Sequence, residues 1–349
     1  MTRNVQYSNQ VDATLNTIIG GGNYHSVVAL VDENTRRHVL PRLGSLANAA
    51  IIEIPAGDVN KTLDTLSHVW QELESCGATR RSLLVNLGGG VVTDLGGMAA
   101  AAFKRGMHFV NVPTTLLAAV DASVGGKTGV NFMGLKNEIG VFAMPDAVIV
   151  STTFFDTLPQ QELKSGFAEV LKHAILCSRD EFQQLLHIDL SHIEKDQLLE
   201  RLQASVKIKE DIVAQDPTEQ GIRKALNLGH TVGHALESWA MENDKSVPHG
   251  YAVAWGLVAE VVLSHMKLGF PSGDLYSLAH FVRENYGAPA ITCDHYDRLI
   301  DLMRHDKKSL DGEINCTLLK QCGSFTIDNS IDAESMKSAL DILRDLMGV

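Results

Sequence analysis

The sequence predicts a two-domain protein: an α/β domain built on a parallel sheet, followed by a helical domain. Three observations carry that reading. Apolar runs alternate with helix-spaced runs up to about residue 158, the pattern turns mostly helical from Gln160 onward, and a glycine-rich turn joins a strand to a helix after Leu87. The boundary falls near residue 158, which divides the chain into 1–158 and 159–349.

The elements follow in order. "SVVALVDEN" (26–34) is an apolar run with a polar C-terminal edge, a buried strand. "NAAIIEIPAG" (48–57) reads as a second strand. In 61–77, Leu63, Leu66, Val69, Trp70 and Leu73 keep helical spacing until Gly77 stops it. "RSLLVNLGGG" (81–90) is a strand running into glycines, and "VVTDLGGMAAAAF" (91–103) is a small-residue helix that packs close to something. "HFVNVPTTLL" (108–117) is the next strand. Strand, helix and strand at this rhythm imply a parallel sheet. Past Pro159 the stretches "QQELKSGFAEVLKHAILC", "QLLERLQASVKIKEDIVAQD" and "YAVAWGLVAEVVLSHMKLG" are helical, so the second domain is expected to be all-helical.

Composition narrows the function. The 349 residues are 45% hydrophobic, enough for two cores. No apolar run is long enough for a membrane span, and "MTRNVQYSNQ" lacks the apolar region of a signal peptide. The five cysteines are scattered without CxxC spacing, which suggests reduced, mostly buried thiols and a cytoplasmic protein. A formal net charge of −12 argues against bulk nucleic-acid binding but allows a local basic pocket. There is no internal repeat and no low-complexity tract.

Against that acidic background several stretches carry chemistry. "NLGGGVVTDLGG" (86–97) is a glycine turn opening a helix, where backbone N–H groups can meet a phosphate. It is not G-x-G-x-x-G, and the plain alternative is tight helix–sheet packing. Asp32 and Asn34, ending an earlier strand, suit ribose hydroxyls. "VDASVGGKTGVNFMGLKN" (120–137) sets Lys127 and Lys136 among glycines beside Asp121 and Asn137, and reads as an anion-binding loop. Glu169 and Lys172 stand three apart, by default a surface ion pair. Arg223, Asn227, His230 and His234 follow at spacings of four, three and four, as one polar stripe of a helix. His230 and His234 lie one turn apart, a spacing that lets both bind one metal, although Thr231 stands where an H-E-x-x-H motif needs Glu. "PHGYAVAWG" opens a further helix at His249, and "RHDKKSLDG" (304–312) is a basic turn. Together Lys127, Lys136, Lys172, Lys209, Arg223 and Lys307 argue for a phosphorylated or carboxylated small substrate, with His and Glu supplying a metal site beside it.

"VPTTLLAAVDASVGGKTGVN", "GFAEVLK", "LNLGHTVGHALE", "PHG" and "DKK", taken together and in this order, resemble the 3-dehydroquinate synthase family of sugar-phosphate cyclases, whose architecture is related to that of glycerol dehydrogenases and iron-dependent alcohol dehydrogenases. The resemblance runs from about Asp32 to Gly312. It implies a Rossmann-like N-terminal domain that binds NAD and a helical C-terminal domain that binds metal and substrate. The implied activity is that of an NAD- and zinc- or cobalt-dependent lyase of the shikimate pathway. Its substrate would be 3-deoxy-D-arabino-heptulosonate 7-phosphate (DAHP), and it would act as a homodimer, with a sister cyclase or a metal-dependent alcohol dehydrogenase as the alternatives. By similarity, NAD contacts fall on Asp32, Asn34, Asp58, Lys61, on Gly89, Gly90, Val91 and Asp94 of the glycine turn, on Thr114 and Thr115, on Lys127 and Lys136, and on Phe154 and Thr157. The resemblance assigns the metal to Glu169, His230 and His249. It assigns substrate to Asp121, Lys127, Lys136, Asn137, Lys172, Lys209, Arg223, Asn227, His234 and Lys307, with Arg105 reaching in from a neighbouring subunit. The chain departs from the family pattern at Thr93, usually Gly, at "AGD" before Lys61, at Tyr251, commonly Glu, and at Asp216-Pro217. None of these positions is an expected metal ligand or lysine.

Overall fold

The chain is described by a computed structural model that covers residues 5–133, 135–189, 191, 194–304 and 313–349. It divides into two compact units, one of residues 1–159 with 194–210, the other of residues 160–193 with 211–349.

The first unit is built on six strands: β1 (Val5–Tyr7), β2 (Val27–Asp32), β3 (Ala50–Ile54), β4 (Leu83–Gly88), β5 (His108–Pro113) and, after a hairpin, β8 (Ala147–Val150). All pairings are parallel, in the order β1-β8-β5-β4-β2-β3. A parallel sheet is covered on both faces, and the strands show it. Val28, Leu30 and Leu84 pack with Leu66, Val69 and Leu73 of α3 (Leu63–Ser75) and Leu95 of α4 (Gly90–Ala102). The alternate residues Ala29, Val31, Leu83 and Val85 pack on the other face with Val11 and Leu15 of α1 (Val11–Gly21). Counted from β2, the strand order is the doubly wound 2-1-3-4-5 type with β1 added at one edge. Its switch point lies between β2 and β4, beyond whose carboxyl ends ligands bind in such sheets. Asp32 and the glycines at 88–90 end those two strands. Asp32 also caps the short α2 (Glu33–His38), accepting the Thr35 N–H at 2.7 Å.

The small-residue helix does pack closely. A Cβ on Gly96 would sit 2.0 Å from Asn86 Oδ1, and one on Gly97 2.4 Å from Thr128 Cγ2. Asn86 and Asn111 are buried partners across β4 and β5, with Asn86 Nδ2 donating to Asn111 Oδ1 at 2.9 Å. Asn111 Nδ2 in turn donates to Ser123 O at 3.3 Å, which ties the 121–124 turn to the sheet.

Two expectations are corrected. The stretch 120–137 is not a loop throughout: β6 (Lys127–Phe132) and β7 (Leu135–Phe142) form an antiparallel hairpin. Its glycines Gly129 and Gly140 are paired across the two strands, where a Cβ on either would meet a carbonyl within 2.6 Å. The second unit is helical but not all-helical. Its helices are α5 (Gln160–Cys177), α6 (Arg179–Leu185), the end of α7 (Lys195–Gln215), α8 (His230–Glu242), α9 (His249–Leu268), α10 (Ser272–Tyr286), α11 (Tyr296–Arg304) and α12 (Ala333–Met347). A second hairpin joins them, β9 (Ile314–Gln321) with β10 (Ser324–Ile331), turned at Cys322 and Gly323, the latter at φ 78°. The cysteines are free as expected, but Cys76, Cys177 and Cys293 are exposed and only Cys316 and Cys322 are buried. No helix among the described residues is long and apolar enough to cross a membrane.

The Asn86–Gly96 contact leaves no room for a methyl group. Gly96→Ala should destabilise the protein by about 2 kcal/mol through overpacking, a fall in Tm on the order of 5 °C. Thermal denaturation of the purified variant checks it, and an unchanged Tm would show that Asn86 can turn aside.

Candidate active site

Glu169 lies on α5 with its side chain fully buried. Lys172, one turn on, is buried too and pairs with Glu169 Oε2. This is therefore not a surface pair, and each partner offsets part of the other's desolvation. His230 opens α8 and His249 opens α9. Their Nε2 atoms lie 3.3 Å and 3.7 Å from Glu169 Oε1. One ligand-type atom from each of these three residues falls within 4.8 Å of the others.

The polarity of this cluster fits a cation at its centre. Neither Glu169 oxygen accepts a well-formed hydrogen bond among the described residues, although both are buried. His230 Nδ1 lies 3.2 Å from Leu228 O, a carbonyl that can only accept, so Nδ1 carries the hydrogen and Nε2 turns its lone pair to the carboxylate. His249 Nδ1 lies 3.1 Å from Glu237 Oε2, which leaves its Nε2 facing Glu169 in the same way. Lone pairs facing a carboxylate repel unless a cation or a proton stands between them. The histidines show the strain of that choice. Burial and the Lys172 charge push His230 down to about 4, against the pull of Glu169. Burial opposes charge on His249 as well, but the Glu169 and Glu237 carboxylates beside its two ring nitrogens outweigh it and push that ring up to about 9. Burial opposes the Glu169 charge, yet Lys172 and then the histidines hold the carboxyl well below the usual range. Carboxylate and two imidazoles form a donor set suited to zinc or a similar divalent ion, with coordination positions left open.

His234 lies one turn beyond His230, half-buried, its ring centroid 5.2 Å from that of His230 and 5.9 Å from that of His249. It is near the cluster but not part of the set of three converging atoms. The expected single stripe through Arg223, Asn227, His230 and His234 is corrected. Arg223 and Asn227 belong to a 3-10 turn (Ile222–Asn227), and Gly229, at φ 81°, separates it from α8. Arg223 is buried and donates to Pro217 O at 2.6 Å, while Asn227 Nδ2 donates to Glu219 Oε1 at 3.0 Å.

The first unit collects a second set. Lys61 is buried and donates to Asp94 Oδ2 at 2.5 Å and to Asn137 Oδ1. Burial pushes the Asp94 carboxyl up, against the attraction of Lys61 and, further off, Lys209. Lys136 pairs with Asp58 at 3.3 Å, and buried Lys209 with Asp121 at 2.7 Å. The α4 N-terminus follows the glycine turn with no side-chain cap, so Gly90 and Val91 begin the helix with their N–H groups free of one. Thr115 borders that turn, its Cγ2 3.1 Å from where a Gly89 Cβ would be, and the Thr114 N–H donates to Gly88 O at 3.0 Å. Lys127 opens β6 with an exposed side chain, and Asn34 is exposed. Phe154 is a core side chain under Arg42, and the Thr157 hydroxyl donates to Phe154 O at 3.1 Å. Arg105 is exposed, with φ 66° beside Lys104 at φ 50°. Lys307 lies outside the described residues.

The departures have local explanations. The Thr93 hydroxyl bonds back to Gly89 O and Gly90 O, within the helix. The Tyr251 ring packs edge-on to Trp255 and Tyr286. Asp216 accepts the N–H groups of Gln220, Gly221 and Arg223, fixing the turn that carries Arg223. Sequence reasoning missed two acids, Glu237 and Glu260. Both had a signal: Glu237 stands two turns after His230 on the same face, and Glu260 is the lone acid in an apolar helix, which must find a partner.

The architecture defines a class first. It is shared with two solved sugar-phosphate cyclases: 2-deoxy-scyllo-inosose synthase, in a structure complexed with carbaglucose-6-phosphate, NAD+ and Co2+ (TM-score 0.86, 23% identity, 98% of this chain and 96% of that one), and 2-epi-5-epi-valiolone synthase from Streptomyces hygroscopicus subsp. jinggangensis 5008, with NAD+ and Zn2+ bound (TM-score 0.80, 23% identity, 99% and 97%). At that identity the likeness establishes the fold. The family follows from sequence: the 3-dehydroquinate synthase N-terminal model matches residues 51–165 and the C-terminal model residues 166–309. A 3-dehydroquinate synthase of Parabacteroides distasonis is 44% identical over 329 residues, 93% of each chain. This chain belongs to the 3-dehydroquinate synthase family, a family of lyases.

The helices that carry Glu169 and His249 meet backbone to backbone. A Cβ on Gly250, next to His249, would lie 1.8 Å from Ser165 O, one turn before Glu169, and the Gly250 N–H donates to Ser165 Oγ at 3.0 Å. Gly250→Ala should therefore cost about 3 kcal/mol or more, because main chain must move. Chemical denaturation measures it, and a cost below about 1 kcal/mol would show that α5 and α9 can separate freely.

Proposed function

We propose that this chain catalyses the 3-dehydroquinate synthase reaction, turning DAHP into 3-dehydroquinate and phosphate, with Glu169, His230 and His249 as ligands of a divalent metal and NAD as cofactor. The observation that carries the proposal is the buried carboxylate with two imidazole nitrogens turned toward it. The solved cyclases of like fold, whose structures hold NAD+ with Co2+ or Zn2+, support the choice of cofactors. When bound, the metal supplies Lewis acidity toward substrate hydroxyls and the nucleotide supplies reversible hydride transfer.

The chain's own residues do the rest. In the first unit the uncapped α4 N-terminus at Gly89, Gly90 and Val91 receives the pyrophosphate, with Thr114 and Thr115 beside it. Asp32 and Asn34 take ribose hydroxyls, and Asp58, Lys61, Asp94, Phe154 and Thr157 complete the nucleotide side. Cationic groups orient the anionic ends of the substrate: Lys127, Lys136, Lys172, Lys209, Arg223 and Lys307, with Asp121, Asn137 and Asn227 as hydrogen-bonding partners. Their contribution is positioning and electrostatics, since phosphate leaves by elimination once the neighbouring carbon has been made acidic. His234, half-buried beside the cluster, holds or moves a proton at an imidazole nitrogen. Arg105 contributes from a second copy in a homodimer, and the enzyme works in the cytoplasm. On this reading residues 1–158 form the nucleotide domain and 159–349 the metal and substrate domain.

Incubation with DAHP and catalytic NAD should release phosphate with no build-up of NADH. NADH formed mole for mole with product would identify a dehydrogenase, and turnover of a different sugar phosphate alone would identify a sister cyclase. The ligand assignment has its own check. Metal analysis should find His249→Ala stripped, whereas His234→Ala should stay loaded and lose kcat by about 100-fold or more. The reverse pattern would make the helix pair His230 and His234 the true ligands.

A further inference from the structure

α8 and α9 each begin on a histidine of the cluster, and each carries one buried carboxylate that reaches the start of the other. Glu237, two turns into α8, sets Oε2 3.1 Å from Nδ1 of His249. Glu260, three turns into α9, accepts the Gly229 N–H at 2.7 Å and the Val232 N–H at 3.2 Å, one on either side of His230. We propose that Glu237 and Glu260 are positioning residues for the metal centre, a reciprocal clasp that aims the two Nε2 lone pairs. The inference rests on reading Glu169, His230 and His249 as metal ligands.

The physical case has two parts. An imidazole lone pair lies in the ring plane, so ring rotation about χ2 swings it off target, and only a partner at Nδ1 stops that rotation. Glu237 is that partner for His249, and as an anion it also makes the ring a better donor. For His230 the partner is Leu228 O, and the residue after Leu228 is Gly229, whose N–H Glu260 pins. The two helices are in backbone contact at this point, where a Cβ on Gly256 would fall 2.0 Å from Gly229 O. The start of α8 therefore moves only if α9 moves with it. A carboxylate inside an otherwise apolar helix is costly, and capping two N–H groups accounts for Glu260 in stability terms alone. The clasp predicts more: the same groups set metal affinity.

The test uses the purified full chain with Zn2+ or Co2+ alone. Chelator competition should give Glu237→Gln a Zn2+ affinity weaker by on the order of 10- to 100-fold, with a shifted Co2+ absorption spectrum. Its metal-free Tm should stay near that of the parent, because the amide oxygen still accepts from Nδ1. Glu260→Gln turns an NH2 toward one of two N–H groups, so it should weaken Zn2+ binding and lower the metal-free Tm together. Glu237→Gln with parental Zn2+ affinity and an unchanged Co2+ spectrum overturns the inference, whatever its Tm. A parent protein that takes up neither metal instead removes the reading of the site on which the inference rests.

Discussion

A fully buried carboxylate is the constraint on which the second unit depends. Glu169 is fully buried, and its charge survives because Lys172 and two imidazoles converge on it. Burying an ion costs several kcal/mol after relaxation, so the surroundings must be held where they compensate. The rest of the unit supplies that holding. Gly250 lets α9 touch α5, and Gly229, Gly233 and Gly256 let α8 touch α9. Small residues at these positions bring three helix backbones close enough for short side chains to share one point. Larger residues would push the three converging side chains apart.

The first unit solves a different problem with related means. Its sheet is covered on both faces, so polar side chains inside it need partners there. Asn86 and Asn111 pair across neighbouring strands and pass the constraint on to the turn after Asp121. Buried Lys61 ties Asp94 and Asn137 together beside the α4 N-terminus. The Lys61 charge is thereby held against the Asp94 carboxylate.

Departures from the family pattern are absorbed without touching the cluster. The Thr93 hydroxyl is satisfied inside its own helix, so the turn before it keeps its shape. Tyr251 replaces a charge by aromatic packing on Trp255 and Tyr286. The nearest carboxylate partner of His249, other than Glu169, comes from Glu237 on α8.

The sequence by itself determined the order of elements, because apolar periodicity is written in neighbouring residues: the β2, β3, β4 and β5 strands and the α3, α4 and α9 helices were legible from it. The motif set also made the family legible, along with the histidine that opens α9. The hairpin of β9 and β10 was missed although "INCTLLKQ" alternates and Cys-Gly turns the chain, since helical neighbours masked a short signal. The hairpin of β6 and β7 was hidden by glycines, whose place in a strand only the facing backbone explains. Tertiary structure alone decided which charges are buried. Glu169 and Lys172 have the spacing of an ordinary surface pair, and nothing local distinguishes them. It also decided that His230 and His249 converge with Glu169 while His234 stands aside, because which atoms meet depends on how three helices cross, and spacing along one helix cannot encode that.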